Sequence, residues 1–251
     1  MERRLWLLSW KELKDIREKI RFVALPIGVV EAHGPHLPLG TDFMIPLYIS
    51  DKLVERLNGL IAPAIPYGVT TSLTGFPGCL SVEPETLEKL VFQALKSLKM
   101  SGFDKIIVIN GHGGSEHVKA LVEAIKRAWL ELGVRTLLVN WWVYAAKKSK
   151  EILGSIGGHA GTEETAMIMA IKEDLAKKEL FDESQIFLIE EGIEAFPLPG
   201  SILIYDPEDK AEIPPIDSCM RFANEVVDMI SKIVERTLKG WKVQSDNVEL
   251  K

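Results

Sequence analysis

Four side chains that can bind a metal ion lie within twelve consecutive positions of the chain: Glu31, His33, His36 and Asp42. They follow an apolar run at 22–30, which is typical of a strand buried on both faces of a parallel sheet. Glu31 and His33 project to the same side of such a strand, because alternate side chains share a face. Carboxylate and imidazole ligands together suit Zn²⁺, Mn²⁺ or Fe²⁺. The turn therefore predicts a centre for one or two divalent ions.

A structural interpretation of the same turn is the alternative. Glu31 would then accept a hydrogen bond from a nearby backbone amide, and the histidines would be ordinary polar loop residues. The concentration of metal-capable side chains directly after a buried strand favours the metal centre, with Glu31, His33 and Asp42 as ligands. The two oxygens of Asp42 could bridge two ions. We expect His36 to contact the substrate rather than an ion.

A second, glycine-rich turn at 110–115 ends a predicted strand and begins a helix. Phosphate binding is one interpretation, because helix N-termini attract anions. The spacing, however, matches neither a P-loop nor a dinucleotide-binding turn, and no lysine follows to neutralise a phosphate. His112 is therefore predicted as a further metal ligand, and Ser115 as a substrate contact. His117, one turn into the helix, is predicted to be a packed or surface residue.

A third segment carries His159, Glu163 and Glu164 at the start of another predicted helix. An acidic residue in the first turn of a helix often accepts amide hydrogen bonds and interacts with the helix dipole, which suits Glu163. His159 and Glu164 are predicted to face the crevice and to move protons during catalysis. Trp141 belongs to an aromatic pair at the end of a predicted strand. We expect it to contact the substrate as a pocket wall, with a subunit contact or simple core as alternatives.

The elements that must position these turns alternate between strands and helices. Strands are predicted at 22–30, 61–67, 105–110 and 134–142, and helices at 43–57, 84–101, 116–132, 162–176 and about 219–238. The proline-bearing region 187–216 predicts short strands and loops. The alternation predicts an α/β fold with a parallel sheet flanked by helices. Because the carboxyl ends of parallel strands meet at one edge, the three turns should converge in one crevice.

The composition is that of an ordinary globular protein, with 251 residues, 47% hydrophobic and 26% charged, and a formal net charge of -6. We expect one domain spanning 1–251.

The excess of acidic over basic residues argues against nucleic-acid binding, which needs a concentrated Lys/Arg surface. No apolar run is long enough to span a bilayer, and the N-terminus lacks the pattern of a signal peptide. Two cysteines favour a reducing cytoplasm, and abundant Glu and Lys with scarce Asn and Gln raise the hypothesis of a thermophilic source.

Four ordered motifs resemble the creatininase (creatinine amidohydrolase) family, which includes archaeal formamidopyrimidine-nucleotide deformylases and a mycofactocin-maturation peptidase. The motifs run from about residue 22 to 170 and leave the last third of the chain weakly covered. They are Glu31-x-His33-Gly34-x-His36-Leu37-Pro38 with Asp42, Pro66-Tyr67-Gly68 with Phe76-Pro77-Gly78, Asn110-Gly111-His112-Gly113-Gly114, and His159-Ala160-Gly161-x-x-Glu164-Thr165.

This resemblance implies a three-layer α/β/α fold with a mainly parallel central sheet, assembled as a homo-oligomer and often as a hexamer. It also implies two divalent ions bridged by Asp42. Glu31 and His112 would complete the ligand shell of one ion, and His33 would bind the other. Glu164 resembles the acid beside the metals and is expected as a ligand as well as a proton carrier. His159 resembles the histidine near the substrate.

Three positions depart from the family pattern. Creatinine-hydrolysing members place a glutamate that binds the second ion where this chain has Gly114, so creatinine is a poor candidate substrate. Many deformylase-like relatives have asparagine at the position of Ser115 and histidine at that of Leu73.

The expected activity is hydrolysis of a non-peptide amide C–N bond in a small molecule, with deformylation of a formamidopyrimidine ribonucleotide as the finer hypothesis. The alternatives are a cyclic-amide hydrolase, a peptidase, and a non-catalytic assembly subunit that binds a metal or a nucleotide.

Overall fold

A four-stranded parallel sheet forms the centre of the molecule, with the strand order β2-β1-β3-β4. The computed structural model describes residues 1–247, so residues 248–251 of the predicted domain lie outside the described part. The strands are β1 (Val23–Ile27), β2 (Leu60–Ile61), β3 (Lys105–Asn110) and β4 (Arg135–Asn140). The buried apolar runs of β1 and β3 explain their central positions, because a parallel sheet is covered on both faces.

Seven α-helices surround this sheet within the described residues. They are α1 (Trp10–Ile16), α2 (Thr41–Leu57), α3 (Pro84–Met100), α4 (Ser115–Leu132), α5 (Trp141–Ile152), α6 (Thr162–Ile171) and α7 (Ile216–Asn247). Helices α3 and α4 pack on the sheet face that carries Val23 and Leu25. The opposite face, with Ala24 and Ile107, packs against α2 and the layer that also contains α6 and α7. The predicted three-layer α/β/α fold is therefore confirmed.

The predicted helices and strands differ from the structure mainly where proline or aromatic residues occur. The strand predicted at 61–67 is reduced to β2, because Pro63 and Pro66 have no amide hydrogen to give a neighbouring strand. The strand predicted at 134–142 ends at Asn140, and the unpredicted helix α5 begins directly after it. Its first residues are aromatic and β-branched, which favours strands on propensity alone.

The C-terminal part of the chain contains a second, smaller sheet. Strands β5 (Ile186–Leu188) and β6 (Ile202–Ile204) pair in parallel, in agreement with the short strands predicted for 187–216. Helix α6 ends at Ile171, earlier than predicted, and α7 extends beyond the predicted 219–238 at both ends. Among residues 1–247, no helix combines the length and the apolar character that crossing a bilayer requires.

Candidate metal centre

Three turns bring buried polar side chains together at the carboxyl edge of the central sheet. Glu31 and His33 follow β1, Asp42 lies in the first turn of α2, and His112 follows β3. Glu164 comes from the first turn of α6. The convergence predicted from the alternation of strands and helices is therefore present, and the predicted metal ligands are among the buried polar residues of the protein.

The first group of possible ligands consists of Glu31, Asp42 and His112. The Nδ1 atom of His112 lies 3.0 Å from Glu31 Oε1 and 2.9 Å from Asp42 Oδ2. Its Nε2–H donates to the carbonyl oxygen of Val69 at 3.0 Å. Because a carbonyl only accepts, this bond holds a proton on Nε2 and turns Nδ1 toward the carboxylates, the orientation usual for a histidine that binds a metal.

The second group consists of His33, Asp42 and Glu164. The Nε2 atom of His33 lies 3.1 Å from Asp42 Oδ1 and 3.6 Å from Glu164 Oε2. The other ring nitrogen, Nδ1, donates to the carbonyl oxygen of Glu31 at 3.0 Å. Asp42 thus directs one carboxylate oxygen to each group, as a ligand shared by two ions would.

His159 also contacts the polar centre. Its Nε2–H donates to the carbonyl oxygen of Ala32 at 2.8 Å, and its Nδ1 lies 3.8 Å from Glu31 Oε1. The ring centroid is 4.3 Å from that of His33. Glu31, His33 and His159 also form a group with ligand atoms close enough to share an ion. His159 is therefore placed either to bind an ion or to exchange a proton with a group at the centre.

The buried carboxylate of Glu31 tests whether these residues fit a divalent cation. Glu31 has no exposed surface, and neither of its carboxylate oxygens has a hydrogen-bond partner among the described residues, although His112 lies close to Oε1. A buried carboxylate without a compensating partner is costly, and a metal ion is one of the few groups that compensates it. In each group the ligand atoms lie within 4.8 Å of one another. The donor set fits divalent ions.

The charges of the centre shift the pKa values of its members in opposite directions. Burial disfavours a charge on His33, but the nearby carboxylates, Asp42 above all, outweigh burial and raise the pKa of His33 to about 10. The same competition raises the pKa of His112. Burial, helped by the charge on His33, lowers the pKa of His159 to about 4. Burial raises the pKa of Glu164 to about 8, against the opposing effect of His33. The centre attracts cations, and divalent ions compete with protons for the same atoms.

Two backbone features place the carboxylates. A Cβ on Gly111 would lie 1.7 Å from the carbonyl oxygen of Asp42, so only glycine allows this close approach of the β3 turn to α2. Ala160 has a φ of 53°, in the left-handed region that non-glycine residues rarely adopt. In this conformation its amide donates to Glu164 Oε2 at 2.6 Å. Such local strain is common at functional sites.

A cavity of about 960 Å³ opens over the centre. Ser115 and Trp141, predicted to contact the substrate, line this cavity, and so do His159 and Glu164, predicted to move protons. His36 is not among the lining residues, since its Nε2 lies 3.1 Å from Thr165 Oγ1 and its ring packs edge-on against Phe181.

The two remaining polar residues from the sequence analysis have structural contacts. His117, predicted to be either packed or on the surface, is buried. Its Nδ1 accepts from the amide of Val69, and its Nε2 donates to Asn110 Oδ1. Glu163 accepts from the amide of Gly157 at 2.7 Å, in agreement with the predicted amide hydrogen bond, although its side chain also reaches the cavity.

Val69 and Ala160 are the contributors that the sequence analysis missed. Both act through backbone atoms, because Val69 orients His112 and His117, and Ala160 orients Glu164. Because every residue has a backbone amide and carbonyl, the residue types at these positions do not indicate such a contribution in the sequence. The alanine between His159 and Gly161 gives no sign of its left-handed conformation, which only the folded chain imposes.

A family model described as creatinine amidohydrolase matches residues 6–196. The chain belongs to the creatininase family. A relative described as mycofactocin precursor peptide peptidase, from Mycolicibacterium smegmatis, is 29% identical over 168 residues, which cover 64% of this chain and 62% of the relative. The alignment thus spans less than two thirds of that relative's length.

Two further matches are a deformylase and a solved creatininase structure. The 2-amino-5-formylamino-6-ribosylaminopyrimidin-4(3H)-one 5'-monophosphate deformylase of Methanothermus fervidus is 28% identical over 147 residues, or 55% of this chain and 50% of the deformylase. A solved creatininase mutant of Zn-Zn type superposes with a TM-score of 0.81 at 21% identity, covering 95% of this chain and 99% of that structure. At this identity the structural likeness establishes the fold.

Proposed function

We propose that this protein is a metal-dependent hydrolase that cleaves a non-peptide amide C–N bond in a small molecule. The observation that carries the proposal is Asp42, whose two oxygens each face a different buried histidine, His112 on one side and His33 on the other. Membership of the creatininase family supports an amidohydrolase, and the Zn-Zn type of a structural neighbour supports a pair of ions.

The residues of the two groups would hold the ions. Glu31, Asp42 and His112 would bind one ion, and His33, Asp42 and Glu164 the other. The family glutamate that binds the second ion in creatinine-hydrolysing members is replaced by Gly114, and Glu164, 3.6 Å from His33, supplies a carboxylate on that side. Zn²⁺, Mn²⁺ and Fe²⁺ all suit this donor set, and such ions acidify water to a pKa near 7 and polarise a carbonyl.

His159 is the residue we assign to proton transfer. In the metal-free protein, burial and the charge on His33 lower its pKa to about 4, so the ring is neutral. Its Nδ1 lies 3.8 Å from Glu31 Oε1, and its Nε2–H donates to the carbonyl oxygen of Ala32. A neutral imidazole in this position can take a proton and hand it to the departing nitrogen. The sequence analysis expects Glu164 both as a metal ligand and as a proton carrier. We assign it the role of metal ligand, and His159 the proton transfer.

Ser115 and Trp141 would contact the substrate from the cavity wall. We do not extend this role to His36, because its ring contacts Thr165 and Phe181.

Four expectations from the sequence stay predictions: the cytoplasmic location, the homo-oligomeric assembly, the thermophilic source and the single domain.

Deformylation of a formamidopyrimidine ribonucleotide stays the finer hypothesis, supported by the relative from Methanothermus fervidus. Incubation of the metal-loaded protein with that nucleotide tests it by the release of formate. A cyclic-amide hydrolase or a peptidase would cleave its own substrate without formate.

Elemental analysis combined with turnover tests the proposal itself. The protein is loaded with Zn²⁺ or Mn²⁺, its metal content is measured, and a panel of formamides and other small amides is assayed. We expect about two ions per chain and hydrolysis that a chelator abolishes. His112→Ala should lose bound metal and turnover together. Full activity in metal-free His112→Ala protein would overturn the proposal, and metal binding without hydrolysis of any amide would support a non-catalytic subunit instead.

A further inference from the structure

The charge of the cavity wall limits which amides can enter. Six carboxylates line the cavity, and no Lys or Arg is among the lining residues of the described chain. Glu31, Asp42 and Glu164 are the carboxylates that would hold the ions. The other three are Glu116, Glu163 and Glu194. They leave an excess of negative charge away from the reacting centre, even with two dications bound.

Two of these additional carboxylates lie at the mouth, where a substrate first arrives. Glu116 and Glu194 are exposed and also line the cavity. Glu116 accepts a hydrogen bond from Thr71 Oγ1 at 3.2 Å, which holds it on the rim. A phosphate at the far end of a substrate would meet these like charges, and no arginine or lysine among the lining residues could pair with it. The N-terminus of α4 also reaches the cavity, but its first turn carries Glu116, whose charge opposes an anion there.

Apolar and aromatic side chains form a second part of the wall, beside the hydroxyl groups of Thr70, Thr71, Ser72 and Ser115. Trp141, Trp142, Phe196 and Tyr205 line the cavity, with leucine side chains between them. Such surfaces bind flat, apolar groups through burial and ring contacts. The combination favours a substrate whose remote part is aromatic or apolar.

Trp141 adds a polar requirement to this wall. Its side chain is fully buried, and its indole Nε1–H has no hydrogen-bond partner among the described residues. An indole nitrogen can only donate. An acceptor atom on a bound molecule would therefore satisfy it.

We propose that the substrate is an uncharged or cationic amide with a flat apolar group, and that molecules bearing a phosphate are rejected. This inference rests on the proposed function, because it describes the part of the substrate away from the C–N bond that the metal centre would cleave. It argues against the deformylation of a nucleotide monophosphate, the finer hypothesis above, and favours the hydrolysis of a neutral or cationic amide at the same centre.

The test uses three probes that share one metal-binding group and differ in the substituent at the far end, which is cationic, neutral or anionic. Benzohydroxamates bind divalent ions through the hydroxamate, and their para position can carry an aminomethyl, a methyl or a phosphonomethyl group. Calorimetry on the Mn²⁺-loaded 251-residue protein gives the Kd of each probe at neutral pH. We expect the aminomethyl and methyl probes to bind at least about tenfold more tightly than the phosphonomethyl probe. Added salt should narrow the gap between the charged probes.

Two double variants test whether Glu116 and Glu194, at the mouth of the cavity, cause the difference in Kd between the charged probes. Glu116→Gln with Glu194→Gln should weaken the aminomethyl probe, strengthen the phosphonomethyl probe, and leave the methyl probe unchanged. Glu123→Gln with Glu131→Gln removes the same number of charges from residues of α4 that do not line the cavity, and it should leave all three Kd values as they are.

The outcomes distinguish this inference from the proposed function. If the phosphonomethyl probe binds as tightly as the other two, or more tightly, the inference is overturned while the metal centre stands. If none of the three hydroxamates binds to the Mn²⁺-treated protein, the metal centre itself is refuted, and the inference falls with it.

Discussion

Gly111 runs so close to Asp42 that a Cβ at position 111 would lie 1.7 Å from the carbonyl oxygen of Asp42. The contact fixes the start of α2 against the end of β3, and so sets the position of the carboxylate shared by the two ligand groups. Gly111→Ala should push the two backbones apart, at a cost of about 1–3 kcal/mol in the free energy of unfolding. It should also reduce metal binding, as measured by elemental analysis after loading with Zn²⁺.

Gly113 provides the control for this change within the same turn. A Cβ there would meet only Trp142, at an ordinary contact distance of 3.6 Å. Gly113→Ala should therefore keep both ions and change stability by no more than about 0.5 kcal/mol. Equal metal content in the two variants would show that the approach of Gly111 to Asp42 does not position the carboxylate.

Glu164 and Glu163 are neighbours in the first turn of α6 with different predicted roles. Glu164→Gln removes an anionic ligand from the group with His33, while its amide oxygen can still accept from Ala160. We expect the metal content to fall from about two ions to one, because Glu31, Asp42 and His112 are untouched, and hydrolysis to be lost. Glu163→Gln keeps the bond to Gly157 and should retain both ions. Loss of metal in both variants would indicate damage to α6 instead.

His159→Asn separates proton transfer from metal binding. The histidine is held by Ala32 and faces Glu31, so the variant should keep both ions if its role is to carry protons. We expect kcat to fall by about 10²–10⁴-fold, the usual contribution of an acid or base. The measurement is kcat together with elemental analysis on one preparation. Loss of an ion in this variant would make His159 a ligand and contradict the assignment.

Gly114 cannot simply be exchanged for the glutamate found in creatinine-hydrolysing members. A Cβ at this position would lie 2.5 Å from His112 Nε2, the atom that donates to Val69. Gly114→Glu should therefore displace His112 and weaken metal binding by about 10–100-fold, as loss of an orienting hydrogen bond does.

Ser115→Asn is the matched control for Gly114→Glu. It introduces the residue of deformylase-like relatives at the next position and should leave the metal affinity intact. A gain of metal affinity in Gly114→Glu would show that the turn relaxes to accept the family ligand.

The sequence predicts the two central strands and the turns that follow them, because both depend on nearby residues. The apolar run at 105–110 coincides with β3, whereas β1 ends at Ile27, three residues short of the predicted 30, so Glu31 and His33 lie in the turn beyond it. Helix α5 is not predicted, because its aromatic start favours a strand and its burial against α7 decides the outcome.

The contacts that orient the site are less predictable, since they involve the backbone. The carbonyl of Val69 reaches His112 only after residues far apart in the chain have packed together.

His36 offers a test of a structural role by its dependence on pH. Burial, reinforced by the charge of His33, lowers the pKa of His36 from 6.5 to about 4. The unfolded chain takes up a proton below pH 6.5 and the folded chain does not, so this stabilising contribution is present above 6.5 and lost as the pH falls toward 4. The loss amounts to at most about 3 kcal/mol. In metal-free protein, urea unfolding of His36→Gln should therefore depend less steeply on pH across this range than that of the unmodified chain. An unchanged pH dependence, together with a raised KM in the metal-loaded variant, would make His36 a substrate contact instead.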